Sequence, residues 1–155
     1  MSADMLVVFI PSPRRGKTGK PLPFWGMNDI MAADKSSGKR PDRQKLEAEK
    51  YVSAIVAEAM AVQGWSLAEH VEESLVFVEP HRTRDEDNVY GGVKYINDAI
   101  SKPETDRKVP RHVNGCAAIV NDNRKCIRKI HLAIAENVDR DHPGVWLMLA
   151  RLDDE

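Results

Sequence analysis

The sequence predicts an α+β fold: a single two-layer domain in which a mixed four-stranded sheet packs against two helices. Short apolar runs bounded by proline or glycine indicate strands, and apolar residues at intervals of three and four indicate amphipathic helices. These segments follow one another in the order βαβαββ. The chain has 155 residues, the length of one domain, so we predict one domain over residues 1–155.

The first half of the chain is predicted to hold a strand, a loop and a helix. The strand covers Leu6–Ile10, a β-rich run that ends before Pro11. Residues 11–41 contain Pro, Gly, Ser and Lys without periodicity, so we expect a long basic loop there. A helix is expected over residues 42–63, because apolar residues recur at helical spacing and Gly64 stands where a helix-ending glycine belongs.

The second half begins with a predicted strand at Val71–Val78. A second helix is expected over about residues 88–101, where the apolar residues are spaced by four, three and four. Residues 101–114 are polar, contain proline and are expected to form a loop.

Two further strands complete the predicted sheet, at Lys125–Ala135 and at Val145–Leu152. Asp141–Gly144, with the sequence Asp-His-Pro-Gly, is predicted to be the hairpin turn that joins them. We therefore expect these two strands to be neighbours in the sheet.

Composition excludes several classes of protein. No run approaches the roughly 20 apolar residues that a membrane helix needs, so no membrane partner is expected. The two cysteines lack metal-binding spacing, and a cytoplasmic protein with reduced thiols is the expectation. The net charge of -1 argues against a simple polycationic nucleic-acid binder.

The charge is unevenly distributed. Residues 11–45 hold nine basic and three acidic residues, a net charge of +6. Such a segment can face phosphate groups on an otherwise neutral protein. The alternative is a solvated basic loop without a partner.

The segment 84–88, with the sequence Arg-Asp-Glu-Asp-Asn, precedes the second predicted helix. Asp85 and Asp87 can share one hard cation. On a helical wheel Asp87, Lys94 and Asp98 lie on one side, opposite the apolar stripe. The alternative is a helix cap followed by an ordinary surface ion pair.

Other metal and nucleotide sites are not indicated. A calcium loop that began at Asp85 would need glutamate where Ile96 stands. A phosphate-binding loop around Gly16–Thr18 would need glycine where Pro11 stands. The histidines form no metal-binding pair, so we expect surface or strand residues rather than ligands at His70, His81, His112, His131 and His142.

The segment 84–98 resembles the R-D-x-D-N…K…D signature of RusA-type Holliday junction resolvases, small endodeoxyribonucleases often carried by phages and prophages. The segment 119–127 is similar to the second block of that family, although Asn121 stands where the family has an acidic residue. The order βαβαββ also agrees with the family. The 101–114 loop is longer than is usual there, so we treat it as an insertion.

The resemblance implies a Mg²⁺-dependent endonuclease, with Mn²⁺ as a substitute, that resolves four-way junctions or other branched DNA in recombination and repair. It also implies a homodimer, because a four-way junction presents two symmetric strands. The alternative is a non-catalytic nucleic-acid-binding accessory protein with the same fold.

The resemblance also implies roles for individual residues. Asp85, Asp87 and Asp122 would be the catalytic metal ligands. Lys94 would be the catalytic lysine near the scissile phosphate, and Asp98 and Asn121 would support the ligands. DNA contacts are expected from Arg14, Arg15, Lys17, Lys39, Arg40, Arg82 and Arg84.

Overall fold

The computed structural model describes residues 2–37 and 43–152. Its strands are β1 (Met5–Pro11), β2 (Val71–Val78), β3 (Ile127–Ile134) and β4 (Gly144–Arg151). Its helices are α1 (Met27–Ser37), α2 (Arg43–Gln63), α3 (Glu86–Tyr90) and α4 (Val93–Ile100). The α+β class with one mixed four-stranded sheet is confirmed, and each predicted strand is found within two residues of its predicted ends.

The strands lie in the order β1-β4-β2-β3. Strand β4 is antiparallel to both of its neighbours, whereas β2 and β3 are parallel. The predicted hairpin between β3 and β4 is therefore wrong. Strand β4 is almost wholly apolar and is paired on both sides, while β3 carries Arg128, Lys129 and His131 and lies at the edge of the sheet. Charged residues are typical of edge strands, which explains the difference.

The core lies between one face of the sheet and the helices. Alternate residues of β1, β2 and β4 point into it, as the two-residue period of a strand requires. They meet the buried sides of α2 and α4, for example Val52 and Ile96. On the opposite face of the sheet Trp146 is 42% exposed. Among the described residues no helix is long and apolar enough to cross a membrane.

Helix α1 lies within residues 11–41, where we expected only a loop, so the predicted loop is wrong in part. Helix α1 has no clear apolar stripe, and its start is stabilised by a capping arrangement instead. The Gly26 N–H donates to the Asp29 carboxylate at 2.9 Å, and the Ile30 N–H donates to the Gly26 carbonyl.

The helix predicted over residues 88–101 is divided into α3 and α4 by Gly91 and Gly92. A Cβ at Gly91 would lie 2.6 Å from the backbone nitrogen of Met27. A Cβ at Gly92 would lie 2.5 Å from the carbonyl oxygen of Trp25. The two glycines thus let the start of α1 pack directly on this part of the chain.

Candidate functional site

An open cavity of about 570 Å³ lies between α2, α4 and the 101–114 loop. Three side chains from separate elements line it: Asp98 of α4, His112 of the loop and Asp122 of the segment before β3. One potential ligand atom from each lies within 4.8 Å of the others. Carboxylate oxygens and an imidazole nitrogen at such separations are a suitable donor set for a divalent metal ion.

Asp98 is a buried carboxylate, although the helical wheel placed it on the polar side of its helix. Its side chain is 9% exposed, with Lys45 Nζ 3.6 Å from Oδ2 and His112 Nδ1 3.6 Å from Oδ1. Burial raises the pKa of Asp98, and the positive charge of Lys45 offsets this only in part. A cation in the cavity would stabilise the charged form of Asp98.

Asp122 is more open to solvent, with 24% of its side chain exposed. Its N–H donates to Asn121 Oδ1 at 2.8 Å, and Asn121 Nδ2 donates to Glu104 Oε1 at 3.0 Å. Asn121 thus connects Asp122 to the 101–114 loop. An acidic residue at position 121 could not donate this hydrogen bond and would repel Glu104.

The 101–114 loop is held at several points. Glu104 and Arg111 exchange two backbone hydrogen bonds of 2.9 and 3.0 Å. The buried carboxylate of Glu49, on α2, accepts the Asn114 N–H at 2.9 Å. Between these anchors His112 has a φ of +52°, which residues other than glycine rarely adopt. The loop therefore presents His112 to the cavity in a fixed conformation.

A further carboxylate, Glu73, is buried on the core side of β2. Neither of its oxygens makes a well-formed hydrogen bond in the described part of the chain, although the Asn97 side chain is close enough to interact with the carboxylate. Burial raises the pKa of Glu73 to about 7, and the negative charge of Asp122 adds to this effect, while the nearby Asn97 side chain offsets it in part. Glu73 is thus a core carboxyl whose protonation is coupled to the charge of Asp122 in the cavity.

In the acidic turn, residues 84–88, the first and the last residue make structural hydrogen bonds to other parts of the chain. Arg84 makes two hydrogen bonds, of 2.7 and 2.9 Å, to the carboxylate of Glu79. Asn88 Oδ1 accepts the Asn28 N–H at 2.9 Å, at the start of α1. These contacts join the end of β2, the turn and α1.

Asp85 and Asp87 are both exposed. Asp85 is the N-cap residue of α3 without a side-chain capping bond, and Asp87 lies in the first turn of that helix. Of the residues proposed as catalytic, the structure brings Lys94 and Asp122 to the cavity wall. Neither Asp85 nor Asp87 is among the described residues that line it.

The residues predicted to contact DNA fall into three groups. Arg14 pairs with the Asp29 carboxylate at 3.0 Å, Arg84 pairs with the Glu79 carboxylate, and Arg82 donates to the backbone carbonyl of Glu136. Arg15 and Lys17 are exposed. Lys39 and Arg40 lie outside the described residues.

The expectation for the histidines is wrong at His112, whose side chain is 4% exposed and lies between two carboxylates. No local sequence pattern could have revealed this, because the three residues are far apart in the chain. The signals available were the unusual length of the 101–114 loop and the polar residues in it.

A comparison with models of known protein families gives no match, and a comparison with curated proteins gives none either. The function is therefore argued from the cavity and from the residues that line it.

Proposed function

We propose that this protein is a divalent-metal-dependent endodeoxyribonuclease that hydrolyses phosphodiester bonds in branched DNA. One observation carries the proposal: Lys94 and Asp122 line the same cavity, together with Asp98 and His112. The resemblance assigns roles to Lys94 and Asp122 from two separate sequence blocks, and both side chains line this cavity, whereas Asp85 and Asp87 of the first block do not.

The chemistry of the lining fits phosphodiester hydrolysis. A phosphodiester is an anion that repels hydroxide, and a bound divalent cation neutralises it and lowers the pKa of a coordinated water. Lys94 is exposed at the cavity, where it can contact a phosphate oxygen and stabilise charge that develops in the transition state. Lys45 and Arg111 add positive charge to the same lining.

A homodimer is part of the proposal, since the two symmetric strands of a four-way junction call for two symmetric sites. The sheet face opposite the helices supports it, because Met5 and Trp146 expose apolar surface there. Sedimentation at micromolar concentration should give twice the chain mass of 17.4 kDa. Paired cleavage by a monomer would contradict this part of the proposal.

Incubation with an end-labelled synthetic four-way junction tests the activity. We expect paired nicks with Mg²⁺ or Mn²⁺ and none with EDTA. Asp122→Asn should lower the cleavage rate by at least about 100-fold, because a metal ligand is lost. The matched control is Asp106→Asn, an exposed aspartate on the 101–114 loop, which should cleave like the wild type.

Two outcomes would contradict the proposal. Tight junction binding without cleavage in either metal would favour the non-catalytic accessory protein. Cleavage that survives Asp122→Asn would place the active site elsewhere on the chain.

A further inference from the structure

His112 has an unsatisfied nitrogen directed into the cavity. Its side chain is more than nine-tenths buried, and its Nε2 has no hydrogen-bond partner within residues 2–37 and 43–152. That nitrogen faces Asp122 Oδ1 at 3.8 Å, while Nδ1 on the other side of the ring faces Asp98 Oδ1 at 3.6 Å. Buried polar atoms are nearly always hydrogen bonded, so this arrangement calls for a partner.

The surrounding backbone holds the ring in this position. The Gly115 N–H donates to the His112 carbonyl at 2.8 Å. A Cβ at Gly115 would lie 2.0 Å from the carbonyl oxygen of Ser101, so the loop closes tightly against the end of α4. With the Asn114–Glu49 bond, these contacts fix His112 despite its strained backbone conformation.

The separation between Nε2 and Asp122 Oδ1 suits an ion better than a direct contact. At 3.8 Å it is too long for a hydrogen bond. Two ligand atoms on one ion, each bonded at about 2.1 Å, lie at most about 4.2 Å apart. An ion between the two atoms is therefore compatible with the observed geometry.

We propose that His112 Nε2 and Asp122 Oδ1 are ligands of one divalent transition-metal ion, and that Asp98 orients the imidazole from its Nδ1 side. A histidine ligand whose other nitrogen faces a carboxylate is a common arrangement in metal proteins. Imidazole favours ions such as Fe²⁺, Ni²⁺ or Zn²⁺, whereas Mg²⁺ takes oxygen ligands, and Mn²⁺, which lies between these two groups, serves as the paramagnetic probe. The inference rests on the proposed function and deepens it, because it assigns to the 101–114 loop a preference for a transition metal over Mg²⁺.

The test measures Mn²⁺ binding by electron paramagnetic resonance on the full chain without DNA. The variant His112→Asn removes Nε2, and asparagine adopts the left-handed conformation more readily than most residues. We expect at least about a tenfold loss of Mn²⁺ affinity in this variant. The control His142→Asn changes a histidine whose side chain is 78% exposed, and it should bind Mn²⁺ like the wild type.

A second readout identifies the ligand atom. Electron spin-echo modulation should show a histidine nitrogen coupled to Mn²⁺ in the wild type, and this coupling should be lost in His112→Asn. Circular dichroism and thermal melts of each variant confirm that the fold is intact. If His112→Asn does not fold, the nitrogen coupling of the wild type and competition by Mg²⁺ still decide the question.

The inference is overturned if the wild type binds no Mn²⁺, if His112→Asn binds it equally well, if the nitrogen coupling is absent, or if Mg²⁺ displaces Mn²⁺ at equal concentration. Any of these results, together with metal-dependent junction cleavage, leaves the nuclease proposal standing. Nitrogen-ligated Mn²⁺ without cleavage of any DNA sustains the inference and contradicts the nuclease proposal.

Discussion

The acidic turn and the cavity both contain aspartates, but these aspartates differ in how deeply they are buried. On the turn, Asp85 and Asp87 are exposed, and the neighbouring Arg84 and Asn88 provide the structural contacts. In the cavity, Asp98 is buried between α4 and the loop. Exposed carboxylates cost the fold little, whereas buried carboxylates must be compensated by a cation or by hydrogen bonds.

Because of this difference, the cavity is more informative about a bound ion than the acidic turn. Burial raises the pKa of Asp98 and that of Glu73, and the charge of Asp122 raises both further. The cavity therefore lowers the stability of the metal-free protein. The turn carries no comparable cost, so its aspartates can be replaced without a penalty in folding and tested for activity alone.

The largest expected effect is a loss of junction cleavage when an aspartate of the acidic turn is replaced. Asp87→Asn should reduce metal-dependent junction cleavage by about 1,000-fold, because the resemblance assigns Asp87 as a ligand of the metal ion that stabilises the charge of the transition state. Junction binding and the melting temperature should stay unchanged. The control is Glu86→Gln, the exposed residue between the two aspartates. If Asp87→Asn retains cleavage within a few-fold, the turn has no catalytic role, and the cavity acts without it.

The next largest effect is on the pH dependence of stability. The pKa of Glu73 rises from 4.5 to about 7 on folding, so between these values the native state binds more protons than the unfolded state. The free energy of unfolding therefore falls as pH rises through this window, by on the order of 3 kcal/mol. Glu73→Gln should lose this dependence in EDTA and become the more stable protein at pH 7.5, as measured by urea unfolding.

The neighbouring Glu72 is the control for this prediction, because it lies on the opposite face of β2. A hydrogen bond from His131 lowers the pKa of Glu72, so its contribution has the opposite sign. A stability difference between wild type and Glu73→Gln that does not vary with pH would show that folding leaves the pKa of Glu73 unchanged, and it would contradict this prediction.

A smaller effect is expected when the charge of Asp122 is removed. In EDTA at neutral pH, Asp122→Asn should stabilise the protein by on the order of 1 kcal/mol, since its charge acts on both Asp98 and Glu73. Mn²⁺ at a hundred times its dissociation constant should stabilise the wild type by about 2.7 kcal/mol and the variant much less. Thermal melts with EDTA and with Mn²⁺ measure both effects. Destabilisation in EDTA, with no response to Mn²⁺, would make Asp122 a structural turn residue.

The smallest effect concerns DNA affinity. Arg15→Ala and Lys17→Ala should each lower the salt dependence of junction binding by about one counterion, because both side chains are exposed. Arg14→Ala should instead lower the melting temperature, since Arg14 pairs with Asp29. Binding isotherms in EDTA over a range of salt concentrations measure the slope. An unchanged slope in the first two variants would exclude this segment from the DNA interface.

Local periodicity predicted most of the fold. Strand β2 has its predicted ends, and α2 confirms the helix expected over residues 42–63 in its described part. Helix α1 was not predicted, because one of its stabilising contacts comes from the distant Asn88 and its local signal, the Gly26–Asp29 capping contact, is not a hydrophobic periodicity. The position of β4 between β1 and β2 also depends on long-range pairing that a turn sequence does not determine.

The site was predicted only where residues belong to a local motif. Lys94 and Asp122 were identified from two sequence blocks, and Asp98 from helical spacing. His112 was not, because its place in the site arises from closure of the 101–114 loop. Such contacts have no signature in one sequence.

The most direct test of the central claim is a crystal structure of the protein grown with Mn²⁺, with anomalous data collected near the manganese edge. We expect an anomalous peak between His112 and Asp122, within bonding distance of His112 Nε2 and Asp122 Oδ1. A peak at Asp85 and Asp87 alone, with none near His112, would contradict it and would make the acidic turn the metal site.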